Sequence, residues 1–365
     1  MQTTTEPQAL SVQDVLPMGR TELITRALKT PVDPTIAWAA PHGGSTLRFY
    51  EVNASAQPLR QVIVPRPGAH FDDMQHAFAT AAVTFGRRPR VGAVSIPGPV
   101  PERGPLKFTN IRHWPAFDRD IAGLGARLEW LGDGPAGTAG LELLGDDDVA
   151  LVRPSSSWLP EKDWERKLYA IVGTGLNTGE GREDGHLPFA ARTHLEWELA
   201  QYLTEEVLGY FPEWEDVISG GHGFRNAGLF ALAKNGTPAD DPFYHDFATT
   251  DPDTQGEVVT KYALEGHSTA VLAAQLVFGA MGGWLGSMVV GTQARTLYVS
   301  PGILGNEDLR HFARKRTPFD EQFGRQGASQ WSAFANRCEV WACLRNPEEL
   351  GALARAAQLL RESMR

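Results

Sequence analysis

The chain has 365 residues, 42% hydrophobic and 21% charged, and a formal net charge of −10. A core of that size holds without disulfides or a metal, and the length suits about two domains. The acidic balance excludes broad nucleic-acid binding, which needs clustered Lys and Arg against phosphates, and leaves small neutral molecules, or anions held by backbone dipoles, as ligands.

The N-terminal stretch has no basic region followed by an apolar core, so no secretory signal and a cytoplasmic protein are expected. Cys338 and Cys343 have no Cys or His at zinc spacing and read as buried, inert thiols. Residues before Pro34 are polar, with a weak amphipathic stretch over 22–28, and read as an appended arm. From Thr35 the pattern changes. Residues 35–40 and 46–52 read as two strands of a hairpin joined by a tight turn, and 62–64 as a third strand. A helix over 71–85 ends at Gly86, and 91–96 is a buried strand that runs into Pro-Gly-Pro. A helix near 117–124 leads to the stretch RLEWLGDGPAGTAG, residues 127–140. Its apolar run suits a buried strand, and Gly132-Asp133-Gly134-Pro135 stops the strand and opens a small-residue helix.

After an acidic excursion at 145–148, a second strand-rich start at 168–172 feeds directly into GTGL. Helices follow at 193–208, 224–234, 256–264 and 268–290, with 235–255 read as a Pro/Asp-rich loop. Residues 268–290 approach the length of a membrane span but carry Gln275 and many small residues, without aromatic belts or basic flanks. They read instead as a central helix packed closely through Gly279, Gly282, Gly283 and Gly286, so no membrane partner is expected. A strand at 296–299, a strand at 338–344 and a final helix introduced by Asn346-Pro347 complete the chain. Alternating strands and helices in this order predict an α/β protein.

Asp133 occupies the carboxyl end of a strand, where ligands bind in open α/β sheets, and its flanking glycines permit close backbone approach. The same position also suits an aspartate that caps a helix. The glycine-rich turns HGGS and GTGL each follow a strand, one in each half, and could offer backbone N–H groups to a phosphate from two sides. Neither is a Walker loop, and each alone is compatible with an ordinary turn.

Taken in order, HGGSTLR, IPGPV, FTN with Trp114, LGDGPA, GTGL, EDGH, EDVISGG, SPGI and NPEELG resemble the bacterial glucokinase family of the hexokinase/actin-like ATPases, from about Pro34 to the C-terminus. The resemblance implies a two-domain actin-like (ribonuclease H-like) α/β sugar kinase fold with an interdomain cleft. It further implies an arm at 1–33, a small domain at 34–144 joined by 351–365, and a large domain at 145–350. Asp133 falls at the family's general base, which takes the proton of a hexose 6-hydroxyl as it attacks the γ-phosphate of ATP with Mg²⁺. Asn110, Gly132, Glu183, His186 and Glu215 fall at sugar-binding positions. Gly43, Gly44 and Ser45 match the first phosphate loop; Gly173, Thr174 and Gly175 match the second; Gly302 lies in the turn that faces adenosine. A homodimer is also implied by the family.

The chemistry is consistent with those roles, since carboxylates and an imidazole grip polyol hydroxyls through charge-assisted hydrogen bonds, and phosphoryl transfer needs mainly positioning and a base. The departures fall mostly on the nucleotide side. Pro41 stands where the family's metal-holding Asp begins the first loop, followed by His42; Gly132 replaces an Asn; the stretch between GTGL and EDGH is short by about a hairpin; and Pro301-Gly302 replaces Gly-Gly. The expected activity is ATP-dependent phosphorylation of glucose or a close hexose. The alternative is a sugar-binding protein without transfer, and a kinase-derived transcription factor is disfavoured by a short, weakly basic arm.

Overall fold

The computed structural model describes residues 6–43, 46–98, 100–108, 111, 113–155, 166–173, 175–179 and 184–365. It divides into two units, Met1–Leu143 with Pro347–Arg365, and Leu144–Asn346.

The first unit is built on a sheet of β1 (Gln8–Ala9), β2 (Val32–Pro41), β3 (Thr46–Val52), β4 (Pro58–Pro65), β5 (Arg88–Ile96) and β6 (Arg127–Gly132), in the order β1-β4-β3-β2-β5-β6. Strands β2, β3 and β4 form the expected antiparallel meander, while β5 and β6 continue parallel to β2. Buried on both faces, β2 carries the unbroken run IAWAA rather than alternating polarity. The faces still differ in size. Trp38 and Ala40 pack with Phe49, Phe78 and Phe85, whereas Ala37 and Ala39 leave room for Ala352, Leu353, Ala356 and Leu360 of the C-terminal helix Pro347–Ser363. That helix fixes the one that follows β6. A Cβ on Gly140 would lie 1.8 Å from the Pro347 carbonyl oxygen, and one on Gly351 would lie 2.0 Å from that of Ala136. The all-small sequence of helix Asp133–Gly140 is thus what lets two helix backbones touch. A bidentate pair between Arg355 and Glu129 of β6 holds the same helix from the side.

Residues read as an arm contribute to this unit. Gln8–Ala9 pair with the edge strand β4, and helix Arg20–Lys29 buries Leu23 and Ala27. Arg20 bonds Asp73, which caps helix Met74–Phe85 through the His76 N–H. The helix expected over 117–124 shrinks to Arg119–Ala122, because Leu124 and Gly125 turn into the left-handed region at φ 53° and 87°.

In the second unit β7 (Val149–Arg153), β8 (Lys167–Val172), β9 (Leu176–Thr178), β10 (Thr296–Val299) and β11 (Glu339–Cys343) run in the order β7-β11-β10-β8-β9, with β11, β10 and β8 parallel. Helix Ser268–Thr292 is long and apolar enough for a membrane span by composition, but 78% of that window is buried within the protein. It packs as its glycines predict. Cβ atoms on Gly282 and Gly286 would come within 2.2 and 2.3 Å of the Phe319 and Phe323 carbonyl oxygens, and Gly283 faces Arg192. The reading of 235–255 as loop is corrected by helix Pro242–Thr249. Asp241 caps it by accepting the Phe243 and Tyr244 N–H groups, Pro242 starts it, and Phe243 and Phe247 are buried beneath it. Helices Glu307–Arg316, Phe319–Gly324 and Ser329–Ala335 also lie in a stretch where none was expected. Both cysteines are buried, and burial pushes the Cys338 thiol up to about 12, in keeping with an inert thiol.

Candidate functional site

In the first unit the candidate residues collect at the carboxyl ends of the parallel strands. Register pairs Pro41 with Ser95 and Ile96 with Gly132, so the turns after β2, β5 and β6 emerge side by side. Gly132 has an extended backbone (φ −70°, ψ 154°) and sits at the cap position, which makes Asp133 the first helical residue rather than the cap itself. The half-buried Asp133 carboxylate accepts the Gly134 N–H at 2.8 Å. A Cβ on Gly132 would meet Pro135 Cδ at 3.4 Å and the Gly98 carbonyl oxygen at 3.6 Å, so the site has room for a side chain the chain does not place there. Asn110 lies outside the described residues.

Gly43 N–H donates to the Thr46 carbonyl oxygen at 3.1 Å, which closes the turn, while Gly44 and Ser45 lie outside the described residues. His42 points into the core, against Phe49 (ring centroids 4.9 Å), Phe78 and Phe108. Only 2% of it is exposed, and neither ring nitrogen has a hydrogen-bond partner among the described residues. Burial, with Arg48 nearby, pushes its pKa down to about 3, so the imidazole is neutral and serves no anion.

The second unit assembles a glycine floor from three separate segments. Gly220 N–H donates to the Gly173 carbonyl oxygen at 2.6 Å, and Gly173 N–H donates to that of Gly175 at 3.1 Å. A Cβ on Gly302 would stand 2.9 Å from the Val172 carbonyl oxygen, and one on Gly220 would stand 3.2 Å from that of Gly173. Backbones therefore meet directly under this surface, and Cβ atoms on Gly173 and Gly221 would point into open space. Gly221 also caps helix His222–Asn235, whose N-terminal amides suit a phosphate. Thr174 lies outside the described residues. These residues fit a nucleotide. Mg²⁺ is a different matter: among the described residues no group of three His, Cys, Asp or Glu could hold a metal, and Pro41 gives the first loop no carboxylate. The described residues do not fit a protein-held ion there.

Glu215, in helix Trp214–Ile218, leans on the floor. Its Oε2 accepts the Leu176 N–H at 3.1 Å and would be 3.2 Å from a Cβ on Gly175. The buried Asn226 fixes that helix by donating to the Asp216 carbonyl oxygen at 2.8 Å. His186 closes the single turn Asp184–His186, and its Nδ1 lies 2.8 Å from Glu213 Oε2. Glu183 lies outside the described residues. Glu213 and Gly220 are additions to the expected set. Gly220 belongs to the EDVISGG stretch, but Glu213 reads locally as a helix-capping acid, a role it also fills with Asp216, and its partner is remote in sequence.

No functionally curated protein matches the sequence. Among solved structures, a glucokinase from Balamuthia mandrillaris in complex with glucose is 17% identical, covers 95% of this chain and 99% of its own, and superposes with a TM-score of 0.71. A ROK family glucokinase from Streptomyces griseus, in complex with glucose and AMPPNP, is 17% identical, covering 90% of this chain and 99% of its own at a TM-score of 0.58. A ROK family transcriptional regulator, a homologue of the E. coli MLC protein, is 14% identical, covering 90% of this chain and 79% of its own at 0.60. At such identities these likenesses establish the fold, the α/β actin-like fold of glucokinases and ROK sugar kinases. The family itself comes from the sequence: the glucokinase family model matches residues 39–358, and the chain belongs to the glucokinase family.

Proposed function

We propose that the protein phosphorylates glucose or a closely related hexose at its 6-hydroxyl, with ATP as donor and Asp133 as general base. The observation that carries this reading is the placement of a half-buried carboxylate at the carboxyl edge of three parallel strands, in a chain of the glucokinase family. ATP would supply the transferable γ-phosphoryl group. Gly173, Gly175, Gly220, Gly221 and Gly302 would hold it, because only residues without side chains leave that floor open. His186 and Glu215 grip sugar hydroxyls, Glu213 orients the imidazole, and Asp133 accepts the hydroxyl proton.

Pro41 and the buried, neutral His42 favour one rival, a sugar-binding protein that does not transfer phosphate. The ROK regulator among the structural neighbours shows that this fold also serves proteins that are not described as kinases. The deciding experiment incubates the purified protein with ATP, Mg²⁺ and a panel of hexoses and follows ADP and sugar phosphate by mass spectrometry. A hexose 6-phosphate matched by ADP establishes the kinase. Glucose-dependent thermal stabilisation without product establishes the rival, and Pro41→Asp then tests whether the first loop is the missing part.

A further inference from the structure

Beside His186 the second unit carries an exposed apolar strip that its core does not use. Pro188 and Glu213 face each other in an antiparallel bridge, with Trp214 N–H donating to the Leu187 carbonyl oxygen at 3.1 Å and Phe189 N–H to that of Pro212 at 2.9 Å. The period of two puts Phe189 and Trp214 on one face, where their rings meet at 4.9 Å and both are buried. Phe211, Glu213 and Pro188 then share the opposite face, and Glu213 holds His186 there. Trp197, from helix His194–Tyr202, brings its ring to 6.4 Å from Phe211. Trp197 is 47% exposed and Phe211 43% exposed, so two aromatic rings lie open to solvent beside a bonded His–Glu pair.

We propose that this strip, Trp197, Phe211 and Pro188 ending on the His186–Glu213 pair, binds a second pyranose ring, so that the protein takes neutral gluco-oligosaccharides as well as a monosaccharide. The inference rests on the reading above that His186 grips a sugar hydroxyl. A pyranose has an apolar C–H face and a rim of hydroxyls, and the strip offers the matching pair: exposed rings for the face, an imidazole and a carboxylate for the rim. A second copy of the chain fits less well. Glu213 lies in the strip and Asp216 accepts its N–H, and a two-fold contact sets the same patch against itself, acid against acid. A neutral polyol meets no such repulsion.

The test measures binding of glucose, methyl β-D-glucopyranoside, maltose and cellobiose to wild type, Trp197→Ala and Phe211→Ala by calorimetry, with the oligomeric state of each followed by sedimentation. Both side chains are exposed, so the variants should keep the wild-type melting temperature. At least one disaccharide is expected to bind wild type about five- to tenfold more tightly than the methyl glycoside, the scale of one aromatic contact, and to lose that advantage in both variants while the glucose Kd stays unchanged. Glucose binding with no disaccharide advantage overturns the strip and leaves the hexose reading standing. Disaccharide binding without hexose phosphorylation does the reverse. A wild-type dimer that becomes monomeric in the variants overturns the inference in favour of an interface between copies.

Discussion

Asp133 stands at the head of a helix whose backbone touches another backbone directly, whereas Glu215 reaches its place through a hydrogen bond to a loop amide. The first arrangement is steric. Gly140 and Gly351 let helices Asp133–Gly140 and Pro347–Ser363 approach until carbonyl oxygens occupy the space of absent methyl groups, and close-packed interiors transmit such contacts without much give. The second is stitched: Glu215 to Leu176, Gly220 to Gly173, Asn226 to Asp216. A steric lock tolerates no added atom but needs no particular charge. A stitched site tolerates volume at its open side but depends on every acceptor. The two should therefore fail in different ways when mutated.

The largest effect is expected where chemistry and lock coincide. Asp133→Asn keeps the size and the bond to Gly134 but removes the proposed base, and turnover should fall by roughly 10²–10⁴ while the glucose Kd holds. Wild-type turnover in this variant, measured by coupled ADP release, removes Asp133 from the chemistry. Gly140→Ala breaks the lock without touching the acid. It should lower stability by about 3 kcal/mol, the upper end for over-packing, in urea denaturation; an unchanged midpoint would show that the helices are not in backbone contact. Glu215→Ala cuts a stitch, with about 1 kcal/mol lost from the unpaired Leu176 amide. Its KM values for hexose and ATP should rise together, by roughly tenfold, if one carboxylate serves both the sugar, as proposed, and the glycine floor. A rise in the hexose KM alone would separate the two roles.

The smallest effect should be a gain. His42→Leu removes two unpaired buried nitrogens and is expected to stabilise the protein by about 1 kcal/mol at neutral pH. The same change should flatten the acid limb of stability. With a native pKa of about 3 against 6.5 for the free side chain, the unfolded chain takes up a proton that the native imidazole refuses. Stability then falls as pH drops from 6.5 toward 3, at up to about 1.4 kcal/mol per pH unit from this one group. Thermal melts of both proteins between pH 7 and 4 should diverge if the imidazole is buried and unpaired, and run parallel if it is not.

The strands and the glycine turns of this fold are legible in the sequence, because IAWAA and the glycine-interrupted helix Ser268–Thr292 carry their own packing signatures. Helix Pro242–Thr249 was hidden by composition: Asp and Pro suggest a loop in bulk, yet Asp241-Pro242 in that order is a start signal. The placement of Asp133 at a strand end can be read from Gly132 to Pro135, but the role proposed for it as base rests on the family resemblance and not on geometry. Glu213 was illegible for a different reason. Its bond to His186 spans 27 residues, and no local pattern announces a partner that distant. His42 shows the converse, a residue of the HGGS turn whose side chain folding turns inward to Phe49.

The return of the C-terminal helix to the first unit has a consequence for synthesis. As the chain leaves the ribosome, Leu144–Asn346 is complete while the first unit still lacks Pro347–Arg365. Domains fold as units once their residues are available, so the second sheet can close before the first. Helix Asp133–Gly140 meets its backbone partner only after Pro347–Arg365 has emerged. The acid proposed to act on the sugar is thus set only after the whole second unit has been made, and a chain without Pro347–Arg365 would carry the glycine floor without Asp133 in position.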